Sequence, residues 1–347
     1  MFKFSKSLIV CSSFCLAFAV NQSLAQDAVY INKIGGGVTR LTGKISKVTP
    51  EGVTLGDREI AASEISRISV GREPSAINRL REEMVGGQYA ECLAGIDKLD
   101  NIPDEPLLQQ EVGFMKAFSS ARLSLTQGTL SNDVAVKAVS DFVRSAPNSL
   151  HLYPAIEQYG LLVYAGGKPE AAARAFEKLR PAKWEEYRMR GQFLHGRMMS
   201  VLGEQDKAKA DFQQILQEPS TSPEAEKYKL LARSELARAN GVTGDGSNGL
   251  KELDQLIQNE SDDNAELFAH VYNAKGAIYA KMGDLKEARD AYLHTQLLFG
   301  NVEDPAAEAL SRLSDIFAEL NDPKRANDSK RELQTKYRNS YWRRAKN

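Results

Sequence analysis

The spacing of apolar and polar positions divides the chain into two parts. In residues 27–71 the apolar residues are mostly β-branched, are interrupted by Gly and Pro, and in 38–48 and 65–70 recur with a period close to two. This alternation is typical of short strands, and the stretch is long enough for four or five of them. From Pro74 to about Arg338 the apolar residues instead recur at helical spacing between Gly-rich turns, which predicts pairs of helices.

The clearest helix pair lies in residues 269–300. Small and aromatic residues stand there at fixed positions of a unit about 34 residues long, namely Gly276, Tyr279, Gly283, Ala288 and Tyr292. A Gly inside a helix lets a second helix approach closely, and an aromatic residue fills the space between them. A later Gly ends the first helix, and the last two residues line the inner stripe of the second.

This arrangement resembles the tetratricopeptide repeat (TPR), whose helix pairs stack because one pair cannot bury its apolar stripe alone. Two more good copies are residues 153–184, with Gly160, Gly166, Gly167, Ala172 and Phe176, and residues 189–220, with Gly196, Gly203, Ala208 and Phe212. Weaker pairs are predicted in residues 73–104, 107–149, 227–260 and 307–338. The resemblance implies a mainly α fold, in which an α-solenoid of about seven TPR-like helix pairs follows a small β-barrel-like module.

Three features depart from regular repeats. The turn near Gly128 is expanded, and residues 242–249 are predicted to be an inserted Gly-rich turn. The last pair has Lys330 where an inner aromatic residue is expected, which is typical of a terminal repeat that meets water.

In the β-rich part, the turn spacing around Gly43 and Gly52 resembles the small SH3-like or Sm-like barrels of some exported bacterial proteins.

The first residues are predicted to be a secretory signal peptide. Lys3 and Lys6 precede an apolar run of 13 residues, 8–20, and Ala25 stands at the predicted cleavage site. The alternative is a membrane anchor, but a helix needs about 20 apolar residues to span a bilayer. The expected organisation is a signal peptide (1–25), a small β module (27–72), a TPR-like solenoid (73–338) and a basic tail (339–347).

Cysteine content and charge add two expectations. Cys11 and Cys15 lie inside the predicted signal, so the exported chain keeps only Cys92, which is predicted to be an inert core thiol. The formal net charge is −1, but from residue 324 onward nine Lys or Arg stand against two acidic residues. This basic tail, which also carries Trp342, could contact an anionic membrane surface. Alternatively, Trp342 packs on the last repeat.

No motif in the sequence calls for catalysis or a cofactor. Gly43-Lys44 lacks the rest of a phosphate-binding loop, and the loop beginning at Asp245 lacks the Gly and the bidentate Glu of a calcium-binding loop. The four His residues are scattered, and neither His-Glu-x-x-His nor Gly-x-Ser-x-Gly occurs. The chain is therefore predicted not to be an enzyme, and to have no cofactor and no metal site.

By the resemblance, the first helix of each pair lines a concave groove, and the register of the repeats indicates which side chains face it. The expected groove residues are Glu157, Leu161, Tyr164, Arg190, Phe193, Arg197, Tyr228, Arg238, His270, Asn273 and Lys281. Aromatic and Arg side chains of this kind are enriched at binding hot spots.

The sequence thus favours a non-catalytic adaptor of the periplasm or cell envelope that binds a peptide or helix of a protein partner in the groove. The alternative is an accessory or enzyme-linked protein that recognises or acts on cell-wall material. A third possibility, nucleic-acid binding by the basic tail, requires an uncleaved chain in the cytosol. Because export is predicted, no nucleic-acid partner is expected.

Overall fold

The computed structural model describes residues 26–33, 36–71, 73–99, 102–261 and 263–344. The predicted signal peptide, with Lys3, Lys6, Cys11, Cys15 and Ala25, lies outside these residues, as do residues 345–347 of the tail. No helix in the described part of the chain combines the length and the apolar composition that spanning a bilayer requires.

The β module has six strands among the described residues. They are β1 (Asp27–Asn32), β2 (Val38–Gly43), β3 (Ile45–Thr49), β4 (Gly52–Leu55), β5 (Arg58–Ala61) and β6 (Ile65–Ser69). They form two three-stranded antiparallel sheets, in the orders β2-β1-β6 and β3-β4-β5, around a core that includes Val29, Val53, Ile60 and Ile68. Six strands are more than the expected four or five, because the chain passes from one sheet to the other at Lys44 and this divides one apolar run into β2 and β3.

Two features close this module. The Asp27 carboxylate accepts hydrogen bonds from the amide nitrogens of Ile45 and Gly71, both at 3.0 Å, which ties the start of β1 to β3 and to the end of the module. The predicted turn before Gly52 is present, and a Cβ at Gly52 would lie 2.2 Å from the carbonyl oxygen of Ile60. Only glycine fits there, because β4 and β5 approach closely.

The described remainder forms seven helix pairs, as predicted. They are α1 (Ser75–Val85) with α2 (Tyr89–Ile96), α3 (Pro106–Arg122) with α4 (Asn132–Ser145), α5 (Leu152–Ala165) with α6 (Pro169–Glu177), α7 (Glu185–Val201) with α8 (Gln205–Leu216), α9 (Pro223–Thr243) with α10 (Gly246–Asn259), α11 (Ala265–Met282) with α12 (Leu285–Leu298), and α13 (Glu303–Glu319) with α14 (Pro323–Lys336). Cys92 is fully buried in α2, as expected of a core thiol.

The predicted contacts between small and aromatic residues hold the pairs together. A Cβ at Gly276 would lie 2.7 Å from the ring of Tyr292, closer than real Cβ atoms come to other atoms. Gly160 meets Phe176 and Gly196 meets Phe212 in the same way. The apolar stripes of successive pairs merge, so that one core runs without interruption from α5 to α11.

The sequence predicted two irregular turns, and the structure corrects the first prediction and confirms the second. Residues 242–249 are not an inserted turn, because α9 continues to Thr243 and α10 begins at Gly246. The side chain of Asp245 caps α10 by accepting hydrogen bonds from the amide nitrogens of Ser247 and Asn248. Gly249 has no side chain, which allows α10 to approach α9 closely. The turn before α4 is expanded as predicted, by a π-helical segment, Leu123–Gln127, that ends at the left-handed Gly128.

The β module packs at the N-terminal ends of α5 and α7. The Glu51 carboxylate accepts from the Tyr153 hydroxyl and, at 3.1 Å, from the amide nitrogen of Lys183. Leu150 and Trp184, which precede the two helices, join the core of the module. The module therefore has a fixed place on one edge of the solenoid.

Residues 337–344, here called the return segment, fold back after α14. Trp342 is buried against Ala306, Ala307 and Leu310 of α13, and the ring of Tyr341 stacks on Tyr164 of α5. The side-chain amide of Asn339 donates to the carbonyl oxygen of Ser124, 215 positions earlier in the chain. The aromatic side chains of the expected tail thus face the protein interior.

Candidate binding site on the concave face

The first helices of the pairs enclose a cavity of about 620 Å³. Its walls come from the ends of α3 and α5, from α7 and α11, and from the start of α13, and the return segment lies across one side. Five of the predicted groove residues line it, namely Leu161, Tyr164, Phe193, Arg197 and His270. The register of the repeats therefore placed five of the eleven predicted side chains at the cavity wall.

Aromatic rings form the floor and one wall of the cavity. The Phe193 ring packs against the rings of Tyr228, at 5.9 Å between centroids, and His270, at 5.6 Å. Tyr164 stacks on Tyr341 with 4.8 Å between ring centroids and an interplanar angle of 16°. The Tyr164 hydroxyl is buried and has no hydrogen-bond partner among the described residues. Burial also raises the pKa of Tyr164 well above its usual value, so its hydroxyl stays protonated.

A buried ionic cluster, here called the far network, adjoins the cavity, and Arg197 and Asp304 belong to both. The guanidinium of Arg197 donates to Glu235 at 2.6 Å and to Asp304 at 2.9 Å, and it contacts Glu308 at 3.4 Å. Arg238 donates to the other oxygen of Glu308. The far network therefore joins the fourth and fifth helix pairs to the seventh across the concave side.

Two amide and imidazole groups extend the far network. The side-chain nitrogen of Asn273 donates to the carbonyl oxygen of Pro305 at 2.8 Å, and Nδ1 of His270 lies 2.8 Å from Glu235. The sixth pair is thereby attached to its two neighbours.

The charges of the far network are mutually stabilised. Burial disfavours ionisation of Glu308, but the attraction of Arg238 and Arg197 outweighs it and lowers the pKa of Glu308 to about 2. The same balance, with Arg197 as the main cation, lowers the pKa of Glu235. Both carboxylates are therefore ionised at neutral pH although their side chains are almost fully inaccessible to solvent.

The remaining predicted groove residues do not line the cavity. Glu157, Arg190 and Tyr228 bind one another, with Arg190 donating to Glu157 at 2.9 Å and to the Tyr228 hydroxyl at 2.7 Å. Arg238 and Asn273 are engaged in the far network. Lys281 is exposed near the end of α11. Binding of a partner by these eleven residues stays a prediction.

Several lining residues were not in the sequence-based set. They are Arg122 at the end of α3, Glu303 and Asp304 at the start of α13, and Tyr337 and Tyr341 of the return segment. The acidic pair precedes the last predicted copy, 307–338, so the repeat register did not include it. No repeat pattern could have placed Tyr337 and Tyr341, because they follow the last helix.

A second buried ionic cluster, here called the near network, lies outside the cavity in the first pairs. Arg81 of α1 donates to Glu73 at 2.8 Å and to Glu111 of α3 at 3.2 Å, and Nε2 of His151 contacts the other oxygen of Glu111. Burial disfavours ionisation of Glu111, but His151 and Arg81 outweigh it and lower the pKa of Glu111.

Among the described residues, no three His, Cys, Asp or Glu side chains are grouped so that they could hold a metal ion.

Comparisons with known proteins agree with this architecture. Residues 151–306 match the family model of the tetratricopeptide repeat-like domain. A tetratricopeptide repeat protein from Parabacteroides merdae has a similar structure, with a TM-score of 0.54 and 16% identity over 75% of this chain and 91% of that chain. A Rap protein complexed with Competence and Sporulation Factor has a TM-score of 0.50 and 13% identity over 77% of this chain and 76% of that chain. No curated protein sequence matches the chain.

At these identities the structural likenesses show the fold alone. Together with the family match and the seven described pairs, they confirm the predicted α-solenoid of TPR-like repeats behind a small β module.

Proposed function

We propose that this protein is a non-catalytic adaptor that binds a short extended segment of a protein partner in the concave cavity. The observation that carries the proposal is the cavity itself, about 620 Å³ in volume and lined by aromatic, Arg and acidic side chains from five of the helix pairs. Ligand sites have volumes of roughly 300 to 1,000 Å³ and combine apolar walls with a few placed polar groups. A cavity of this kind suits a few residues of a peptide.

Two further facts support a peptide or protein ligand. TPR-like solenoids present an extended concave surface on which partners dock. The Rap protein that shares this fold was solved in complex with Competence and Sporulation Factor, so the fold accommodates a bound factor in at least that relative.

The test is selection of displayed random octapeptides on the immobilised full chain. Leu194 lines the cavity, so an Asp at this position places an unpaired charge against the ligand, and we expect Leu194→Asp to weaken binding of the selected peptides at least tenfold. The matched control is Leu297→Asp, because Leu297 is 72% exposed on α12, outside the cavity. Circular dichroism checks that both variants fold.

Selected peptides that bind the two variants equally well would contradict the proposal, because they would have docked elsewhere. A selection that enriches no motif would also contradict it.

For the cellular location we propose export to the periplasm or cell envelope. The proposal is supported by the basic start, the apolar run of 8–20 and the small residue at Ala25. Intact mass of the protein purified from its native cells should correspond to loss of the first 25 residues. A mass near the full 38.3 kDa in a cytosolic fraction would contradict export.

A further inference from the structure

The return segment is held on the concave face chiefly by its side chains. The ring of Tyr341 stacks on Tyr164, and the indole nitrogen of Trp342 donates to the Asp304 carboxylate at 3.0 Å. The guanidinium of Arg312 lies over the Trp342 ring, 5.3 Å from its centroid. We call Tyr164, Asp304 and Arg312 together the aromatic docking site.

Two residues of the aromatic docking site, Tyr164 and Asp304, are held by contacts outside the return segment. Tyr164 lies in the core between α5 and its neighbours, and Asp304 is held by Arg197 of the far network. The apolar surface under Trp342 belongs to α13. A preformed site of this kind, if the return segment left it, would present an aromatic face, a carboxylate and an apolar patch to another segment.

The seated residues indicate which segment fits. Trp342 is buried on the apolar surface of α13, and the ring of Tyr341 stacks on Tyr164, so both aromatic rings of the segment have a partner. Arg343 and Arg344 are exposed and do not line the cavity, so they do not define the segment.

We propose that the aromatic docking site recognises an extended segment with two adjacent aromatic residues, the second a Trp. The chain's own Tyr341 and Trp342 fill the site in this structure, and a partner segment of the same chemistry enters by replacing them. The inference rests on the proposed function and names the partner chemistry of the same concave face.

The attachment of the return segment to α14 sets how strongly it competes. A segment tethered by a few residues has an effective concentration in the millimolar range. A free peptide of the same sequence, present at micromolar concentration, is therefore excluded from the native chain. It should bind when the tethered aromatic residues are removed.

The test uses the full chain with Tyr341→Ala and Trp342→Ala, and a fluorescent peptide with the sequence of residues 337–344. By fluorescence anisotropy we expect the peptide to bind this variant at least about 100-fold more tightly than the native chain, as the tethered competitor dictates. A peptide with Ala in place of both aromatic residues is the ligand control. Adding Tyr164→Ala to the variant should abolish binding, whereas adding Tyr89→Ala, in α2, should not.

Equal binding of the peptide to the native chain and the variant would overturn the inference, as would binding that persists after Tyr164→Ala. If the double variant does not give the native circular dichroism spectrum, Tyr341→Ala alone replaces it, since Tyr341 is only half-buried.

The two proposals fail separately. If octapeptides bind in a Leu194-dependent manner but the return peptide neither binds nor displaces them, the cavity is a binding site with a different ligand chemistry. If the return peptide binds the variant but the selection enriches nothing that depends on Leu194, the aromatic docking site stands and the cavity as a partner site does not.

Discussion

The near and far networks are both buried, both built from Arg and Glu, and yet they join different parts of the solenoid. In the near network Arg81 reaches Glu111, 30 positions away, so it links successive helix pairs. In the far network Arg197 reaches Glu308, 111 positions away. Repeats of a solenoid normally contact only their neighbours. The near network follows this rule, whereas the far network departs from it and closes the concave side.

The comparison shows how the cavity is formed. Glu308 is fully buried in α13, and its charge is compensated by Arg197 of α7 and Arg238 of α9. A buried carboxylate without a cation is strongly unfavourable, so this pairing favours the place of the seventh pair beside the fourth and fifth. The near network links successive pairs, while the far network links the fourth and fifth pairs to the seventh across the concave side.

The largest expected effect comes from breaking each network at its Arg. Arg197→Met leaves Glu235, Asp304 and Glu308 without their shared cation, and removal of one partner of a buried ion pair costs about 3–5 kcal/mol in the free energy of unfolding. We expect Arg81→Met to cost less, because Arg81 pairs with two carboxylates whereas Arg197 pairs with three. Urea denaturation of both variants measures the difference.

Arg233→Met, on the exposed side of α9, is the control for loss of a positive charge. A cost for Arg197→Met no larger than that of this control would show that the far network does not stabilise the contact of the seventh pair with the fourth and fifth.

A smaller effect is expected from acid. Because the pKa of Glu308 falls from 4.5 to about 2 on folding, the folded state binds fewer protons than the unfolded state below pH 4.5. Its stabilising contribution is present above pH 4.5 and is lost as the pH falls toward 2. A shift of this size corresponds to about 3 kcal/mol.

Unfolding free energies measured from pH 7 to pH 2.5 should therefore fall more steeply for the native chain than for Glu308→Gln, which lacks the titrating group. Parallel curves would be inconsistent with an ionised Glu308 in the folded protein.

The smallest expected change in stability comes from the packing between the two helices of one pair, which both regions of the solenoid have in common. A Cβ at Gly276 would lie 2.7 Å from the Tyr292 ring, so Gly276→Ala should destabilise by about 1–3 kcal/mol through overpacking. At Gly113 of α3 a Cβ would meet Phe142 at an ordinary 3.4 Å. There Ala should be neutral or stabilise the helix by up to about 1 kcal/mol.

Thermal unfolding of the two variants tests this contrast directly. A stabilised Gly276→Ala would mean that the close approach of the two helices is not required.

The sequence predicted the fold because each repeat is specified by residues that are close together in the chain. Residues such as Gly160 and Phe176 meet within one helix pair, and their spacing alone specifies the pair. The glycines of 242–249 were misinterpreted as a turn because glycine serves both turns and close helix packing, and only the structure shows that Gly249 does the second.

The candidate site was predictable in part for the same reason. The register placed Tyr164, Phe193 and His270 on the concave side, since helical periodicity fixes the direction of a side chain. It also assigned Arg238 and Asn273 to the groove, although the carboxylate of Glu308 engages both. A repeat pattern gives the direction of each side chain but not which distant charge will meet it.

The sequence by itself therefore determined the helix pairs and their number, because these depend on contacts between residues close in the chain. The tertiary structure decided the curvature, the buried pairing of Arg197 with Glu308 and the return of Trp342 to α13. These depend on groups more than a hundred residues apart or beyond the last repeat, for which local periodicity carries no information.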